Sequence, residues 1–408
     1  MLKYSVRFGF LIYLLFVSLY VSAQVKDPVS GMVISQDNGE PIDGVTIAWS
    51  NKGIGSITNA DGKFVIMLTP PYKQQDSLIF SCIGYNPESV SINTAINNKN
   101  LKVKLKATVE NLQEVTIRPL TLKQLLDSIN RHNTVAFVSP MKLDGYYREL
   151  VFTNAKCTEY SDAICSYFFD RASPKEIQLK INASRCRFEE NVNKDRHDVK
   201  KNFKSDIDPN QAFRYALLSA MIADYFPDKV LADYKYTLER FGDKGSDDLK
   251  ITIFPKKNSK AFYQLTFILS NDFLLRSYRL EIPDNLLDKT DEMSLLWIHA
   301  KDLNLVIEVK YTSLFDHIYP SYYKIEEGEH FWGKLLGAKM DEISINKSEF
   351  IVNGINQSNK VSAFNKQDTY KKGNICNNGI AINDELLKSY TIIVPSAKDS
   401  VAIKSLSQ

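Results

Sequence analysis
In the second half of this chain, apolar residues recur at every second position. Leu249, Ile251 and Ile253 alternate with polar neighbours, as do Leu265, Phe267 and Leu269, and then Leu303, Leu305, Ile307, Val309 and Tyr311. Successive side chains of a strand point to opposite faces, so such runs read as strands with one face in a core. Strands of a parallel sheet covered on both faces would instead be continuously apolar, so the pattern predicts an antiparallel meander. Asn271-Asp272 is the expected turn between strands at 262–269 and 273–282. Tyr146-Tyr147-Arg148-Glu149-Leu150-Val151-Phe152 and residues 163–169 read as earlier strands, and 319–325, 331–340 and 349–352 as later ones. About ten strands of this kind curl around helices or close on themselves.

Helical spacing is confined to two places. Leu122, Leu125, Leu126 and Ile129 follow the cap candidate Thr121, which predicts a helix near 121–132. Asp208 and Pro209 open a second, at 209–226, with Phe213, Ala216, Leu217, Ala220 and Met221 on one face and Pro227 as its stop. Residues 189–206 are polar and charged and read as an exposed loop. A membrane barrel is the competing reading of the meander. The helix at 209–226 and the tail ending Ser-Leu-Ser-Gln fit it poorly. About 290 residues also cannot supply 22 strands and a plug.

Residues 1–23 read as a secretory signal peptide. Lys3 and Arg7 precede the apolar stretch at 9–21, which is short for a membrane span, and Val21-Ser22-Ala23 places cleavage before Gln24. With 51 Lys+Arg against 48 Asp+Glu the chain carries +3, or about +1 once that segment is gone. A near-neutral chain without a basic block argues against nucleic acid as a partner. Its 408 residues suit two or three domains, and 44% hydrophobic with 24% charged residues is a globular composition.

Five cysteines, Cys82, Cys157, Cys165, Cys186 and Cys376, are too few for a disulfide scaffold even in an exported chain. Cys82 lies in an apolar run and is expected to be a buried free thiol. On one strand Cys157 and Cys165 would stand about 26 Å apart and could not bond. Cys165 with Cys186 is a candidate pair, and the pairing among Cys157, Cys165, Cys186 and Cys376 stays open.

Residues 24–117 carry short strands between turn signals, the pattern of a small β-sandwich. In order come Gly31, then Gly39-Glu40-Pro41-Ile42 leading to Gly44-Val45-Thr46-Ile47, then Gly55 and Thr58-Asn59-Ala60-Asp61-Gly62-Lys63-Phe64. Leu78-Ile79-Phe80-Ser81-Cys82-Ile83-Gly84-Tyr85 and Leu112-Gln113-Glu114-Val115-Thr116-Ile117 complete the set. This ordered series resembles the carboxypeptidase regulatory-like domain. The resemblance implies a prealbumin-like sandwich of about seven strands. Its last piece is similar to the exit segment of that domain in outer-membrane receptors of Gram-negative bacteria. Phe64, Ile66, Leu78 and Phe80 are expected in its core, and Asp61-Gly62 at a plain hairpin turn. Residues 118–408 resemble the uncharacterised segment that follows this sandwich in many exported Gram-negative proteins, carried by Tyr146-Tyr147-Arg148-Glu149 and the strands at 249–282. By fold analogy they also resemble the half-open barrels of lipoprotein carriers.

Recognisable catalytic patterns are absent from the sequence. His132, His197, His299, His317 and His330 begin no HxxE or HExxH, and no GxSxG, GxGxxG, P-loop or zinc-spaced cysteine pair occurs. The zinc peptidases that carry a related sandwich use HxxE, so the resemblance implies no peptidase here. Glu327-Gly328-Glu329-His330 reads as an exposed turn, and Asp243, Asp247 and Asp248 as a solvated hairpin loop. Phe331, Trp332, Tyr319, Tyr322 and Tyr323 read as sheet core or rim. Arg148 with Glu149 reads as a structural ion pair.

The expectation is therefore a mostly β chain, α+β in its second domain: a seven-stranded sandwich, then a curved antiparallel meander or half-open barrel with a few helices. The expected role is a non-catalytic binding or scaffolding protein of the bacterial cell envelope, exported, periplasmic or outer-membrane-associated. No catalytic, metal or cofactor-binding residue is assigned and no cofactor is expected. The partner is an envelope protein, glycan or lipid. The alternatives are a periplasmic carrier with an apolar cavity in the second domain and a hydrolase with an unrecognised site.

Overall fold
The computed structural model describes residues 26–50, 52–108, 113–114, 120–137, 139–170, 177–189, 208–241, 248–314, 317–335, 338–356, 361–371 and 375–406. The expected signal peptide, most of the loop at 189–206, His197, Asp243 and Asp247 lie outside these residues. So do all but Gln113 and Glu114 of the exit segment at 112–117.

Seven strands form two facing sheets at the N-terminus. They are β1 (Asp27–Ser35), β2 (Thr46–Trp49), β3 (Gly55–Ile57), β4 (Lys63–Leu68), β5 (Ser77–Ser81), β6 (Glu88–Ser91) and β7 (Leu101–Leu105), with helix α1 (Ile92–Asn97) after β6. One sheet runs β4-β1-β7 and the other β3-β2-β5-β6. In β7, Leu101, Val103 and Leu105 are buried while Lys102 and Lys104 face solvent, as their alternation requires. Phe64, Ile66, Leu78 and Phe80 are at most 1% exposed, and the Phe64 and Phe80 rings meet edge to face at 5.4 Å. Each such side chain contributes roughly 1.5–3 kcal/mol by burial. Gly31 is required by the close approach of β7, because a Cβ there would lie 2.1 Å from the Leu101 carbonyl oxygen.

The third sheet is far larger. Its strands are β8 (Gln113–Glu114), β9 (Met141–Thr153), β10 (Lys156–Phe169), β11 (Gln178–Phe188), β12 (Tyr234–Phe241), β13 (Asp248–Pro255), β14 (Gln264–Leu269), β15 (Leu275–Glu281), β16 (Glu292–Leu295), β17 (Ile298–Leu314), β18 (His317–Leu335), β19 (Ala338–Asn356) and β20 (Ile380–Ala381). The path runs β20-β11-β10-β9-β19-β18-β17-β15-β14-β13-β12-β8, with β16 branching from β17. The two end strands do not pair with each other, so the sheet is open rather than a closed barrel.

One face of this sheet is covered by helices. Helix α2 (Leu122–Ala136) begins in a capping box made by Thr121 and Gln124 and buries Leu122, Leu125, Leu126 and Ile129. The single helix expected at 209–226 is two, α3 (Pro209–Arg214) and α4 (Leu218–Tyr225). Leu217 takes extended backbone between them, which turns Phe213, Ala216, Leu217, Leu218 and Met221 all into the core. These residues pack with Tyr147, Tyr167, Phe267, Tyr323 and Phe350 from the sheet.

The sandwich and the C-terminal segment cover the opposite face. Ile57 of β3 packs with Tyr146, Tyr322, Ile351 and Ile393. Lys310 donates to the Gly44 carbonyl at 2.6 Å. Residues 389–399 run between the two units and bond to both. Lys26 donates to the Ser389 carbonyl, the Met67 amide to Thr391, and the Asn59 amide to the carbonyls of Val394 and Pro395. Asp61 accepts from the Ala397 amide at the start of helix α6 (Ala397–Lys404), which follows the short helix α5 (Asp384–Leu387). On the sheet side Asn353 exchanges two hydrogen bonds with Thr391, and Arg148 donates to the Ile393 carbonyl.

Several expectations need correction. Arg148 does not pair with Glu149, because neighbours on a strand face opposite ways. It pairs with Glu349 on the adjacent strand, at 2.6 Å. Cys186 bonds Cys376 rather than Cys165, which is a buried free thiol on β10. Cys82 is free but only half-buried. Residues 331–340 belong to two strands, and Glu327-Gly328-Glu329-His330 lies inside β18, not at a turn. Asp248 opens β13 and bonds Arg276.

Glu349 is buried, which alone would raise its pKa, but Arg148 beside it, with Tyr322 and Lys324, holds it below the usual carboxylate range. Its contribution is present above its unfolded value and is lost as pH falls through the folded pKa. Thermal unfolding should therefore show stability falling on acidification below about pH 4, with a flatter profile there for Glu349→Gln. At pH 7 that variant should lose about 3–5 kcal/mol, because it leaves the Arg148 guanidinium buried without its carboxylate.

Candidate functional site
A polar belt crosses the helix-covered face of the large sheet, beside its apolar core. Residues paired across strands share a face, and the registers place Ser344 between Glu329 and Thr153, Asn346 between Glu327 and Val151, and Ser348 between Ile325 and Glu149. On the next strand Glu149 faces Ser161, and Ser161 faces Cys186. Asp302 of β17 faces Glu329. The belt thus spans β17, β18, β19, β9, β10 and β11.

Part of the belt is internally bonded. Tyr147 donates to Glu149 at 3.1 Å, and Ser161 donates to Glu159 at 3.1 Å. The centre is not. Ser344, Asn346 and Ser348 are 3%, 1% and 0% exposed, yet both hydroxyls and both polar atoms of the Asn346 amide have no hydrogen-bond partner within the protein. A buried polar group left with no partner costs about 1–3 kcal/mol, so three such side chains at alternate positions of one strand call for a partner from outside the chain, water or ligand.

The belt meets an aromatic cluster at the ends of α3 and α4. Tyr215, Tyr225 and Tyr263 are half-buried. Tyr225 lies 5.7 Å from the Tyr215 ring and 5.1 Å from the Tyr263 ring. Burial raises the pKa of all three. Glu327 adds to the shift at Tyr215 and Tyr225, and Asp302 at Tyr263. Glu329 is raised to about 7 by burial first, then by Glu327 and Asp302. Such a carboxyl exchanges its proton near neutrality and can both accept and donate hydrogen bonds.

Glu149, Glu327 and Glu329, singled out from the sequence for other reasons, thus come together on this face. Tyr319, Tyr322 and Tyr323 are buried core residues, and the tyrosines beside the belt are others. The sequence gives no signal for Tyr215, Tyr225 and Tyr263, which three separate segments bring together. Nor does it mark Ser344, Asn346 and Ser348, whose alternation with Ile343, Ile345 and Lys347 is that of any half-exposed strand. His132 and His317 are exposed, and His299 and His330 flank Trp332 on the opposite face. Among the described residues no group of three or more His, Cys, Asp or Glu side chains is arranged to hold a metal ion. No helix among them is long and apolar enough to cross a membrane.

The two-sheet sandwich, with its required Gly31, agrees with a sequence match at residues 29–117. Those residues are a CarboxypepD_reg-like domain. The TonB-dependent receptor P39 of Formosa agariphila is 32% identical over 110 residues, 27% of this chain. The match spans 10% of that receptor's length. A LolA superfamily protein from Nitrosomonas europaea aligns over 60% of this chain and 97% of its own, at 8% identity and a TM-score of 0.19. A protein from Bacteroides fragilis, described as membrane-associated and of unknown function, aligns over 80% and 98%, at 9% identity and a TM-score of 0.16. At such TM-scores neither alignment establishes a shared fold.

A carboxyl-resolved NMR titration should place Glu329 near pH 7 and move it down in Glu327→Gln, which removes a neighbouring like charge. The folded state binds the Glu329 proton more tightly than the unfolded one does. Stability should therefore fall as pH rises toward 7, and Glu329→Gln should remove that slope. A Glu329 midpoint near 4 would show that the belt is not desolvated.

Proposed function
We propose that this protein is a non-catalytic binding or scaffolding protein of the bacterial cell envelope, associated with the outer membrane. The half-buried Glu327 and Glu329 with the Tyr215, Tyr225 and Tyr263 rings, beside the buried Ser344-Asn346-Ser348 row, carry the binding part of this reading. A buried amide and two hydroxyls offer donors and acceptors together, and a ligand rich in hydroxyl groups supplies the complement. Tyrosine rings beside half-buried carboxylates suit the apolar faces and hydroxyls of a sugar, so a glycan is the ligand class these groups fit best. The CarboxypepD_reg-like domain and the matched receptor segment support the envelope setting. The domain then acts as an interaction module fixed to the sheet. The alternative, a carrier of lipid or lipoprotein, needs apolar space on the helix-covered face, and the apolar residues described there are packed by α2, α3 and α4.

Native mass spectrometry of residues 24–408, purified from periplasm without detergent, tests the reading. An added mass of glycan size that disappears in Asn346→Leu is the expected result. A bare wild-type mass, or an added mass that survives the substitution, would count against a ligand in the belt. The same variant should raise the stability of the empty protein by about 1–3 kcal/mol, since it replaces an unsatisfied buried amide by a near-isosteric apolar group.

A further inference from the structure
We propose that the tip of the β16–β17 hairpin docks onto an anionic lipid bilayer. Leu295 pairs with Ile298, so Leu296 and Trp297 form a two-residue turn. Met293, Leu295, Leu296 and Trp297 are 62%, 63%, 82% and 72% exposed. Strand β16 is exposed along its whole length. Four large exposed apolar side chains gathered at one hairpin tip differ from the scattered single exposures of an ordinary soluble surface.

The turn also runs against its own local chemistry. Two-residue hairpin turns favour Asn-Gly or Gly because they require positive φ, whereas here Leu296 holds φ +56°. A branched apolar side chain in that conformation is disfavoured, and such violations are retained where a side chain has work outside the fold. Gly333 on β18 makes room for the tip: a Cβ there would lie 2.0 Å from the Trp297 carbonyl oxygen.

Charge selects the occupant. The Lys334 amide donates to the Trp297 carbonyl, and Lys334 stands directly opposite Lys339 across β18 and β19, both exposed. Like charges directly opposed are unfavourable, and an anionic surface relieves them. The nearest acids on the same strands, Glu292 and Asp341, lie further from the turn and are bonded to His299 and His330, with Asp341 also offsetting part of the Lys339 charge. Exposed Leu and Trp at the end, lysines behind them and acids behind those is the order in which a peripheral protein meets acyl chains, headgroups and water.

Sedimentation with vesicles tests this, using the chain from Gln24 onward so that the apolar stretch at 9–21 takes no part. Binding is expected to vesicles of phosphatidylethanolamine with phosphatidylglycerol, weakening with salt, and to be much weaker with phosphatidylcholine alone. Leu296→Ser/Trp297→Ser should weaken binding by about tenfold or more, since it removes most of the inserting apolar area. Lys334→Gln/Lys339→Gln should lower the salt dependence. All four side chains are exposed, so these variants should fold, which circular dichroism checks. Absence of vesicle binding, or unchanged binding by the Leu296/Trp297 variant, would overturn the proposal. Dimerisation lost in that variant without vesicle binding would overturn it in favour of a second copy. The proposal deepens the membrane association proposed above but not the ligand: Asn346→Leu should leave vesicle binding unchanged, so the two readings fail separately.

Discussion
The buried pair Arg148–Glu349 is the interaction on which the arrangement of the molecule turns. Both residues are under 10% exposed, and charges taken out of water are tolerated only when partnered completely. Glu349 accepts from the Arg148 side chain at 2.8 Å and from the Tyr322 hydroxyl at 2.6 Å, while another arm of the guanidinium donates to the Ile393 carbonyl. These partners come from β9, β19, β18 and the C-terminal segment. A one-residue slip of β9 would send Arg148 to the apolar helix face, so the pair enforces register among the three central strands. Replacing it with apolar residues would leave stability little changed and remove that enforcement, which makes specificity the better account of its presence.

The same pair explains why the CarboxypepD_reg-like domain is fixed to the sheet rather than tethered by a linker. The segment that satisfies Arg148 also satisfies Asn59 and Asp61 at the sandwich hairpin. Asn59 meanwhile accepts from the amides of Asp61 and Lys63, so one side chain shapes the turn and binds the clasp. The Cys186–Cys376 disulfide ties β11 to the chain leading into that segment across a sequence separation of 190 residues. The end of the chain is therefore a structural part of its beginning, and the two units share one buried boundary.

Local order was legible in the sequence wherever one element decides it. The period-two runs at 249–253, 265–269 and 305–311 bury the residues their alternation names, and Thr121 caps the helix it precedes. Leu303 departs from its run because a bulge between Asp302 and Asn304 interrupts the register. What failed depended on remote partners or on turn chemistry. Glu327-Gly328-Glu329-His330 has the composition of a turn but is held inside β18 by β17 and β19, with Asn304 packed against Gly328 where a side chain would collide. The true turn at Leu296-Trp297 has the composition of a strand. The disulfide partner of Cys186 lies too far along the chain for spacing to reveal.

The features that local rules miss are also where the molecule departs from good folding practice, and they fall on neighbouring strands. The unsatisfied row starts at Ser344, opposite Glu329, and Gly333, beside the apolar tip, lies four residues further along β18. At about 3.3 Å per residue that is about 13 Å. With the tip seated among headgroups as proposed, the polar belt would stand about that distance above the membrane surface. In that proposed pose the lysines and the Trp-bearing turn face the bilayer, and the sandwich, packed on the opposite face of the sheet, stays clear of the belt. Strands β17, β18 and β19 thereby link the exposed apolar tip to the polar belt, and the Arg148–Glu349 pair sets the register that keeps both in line.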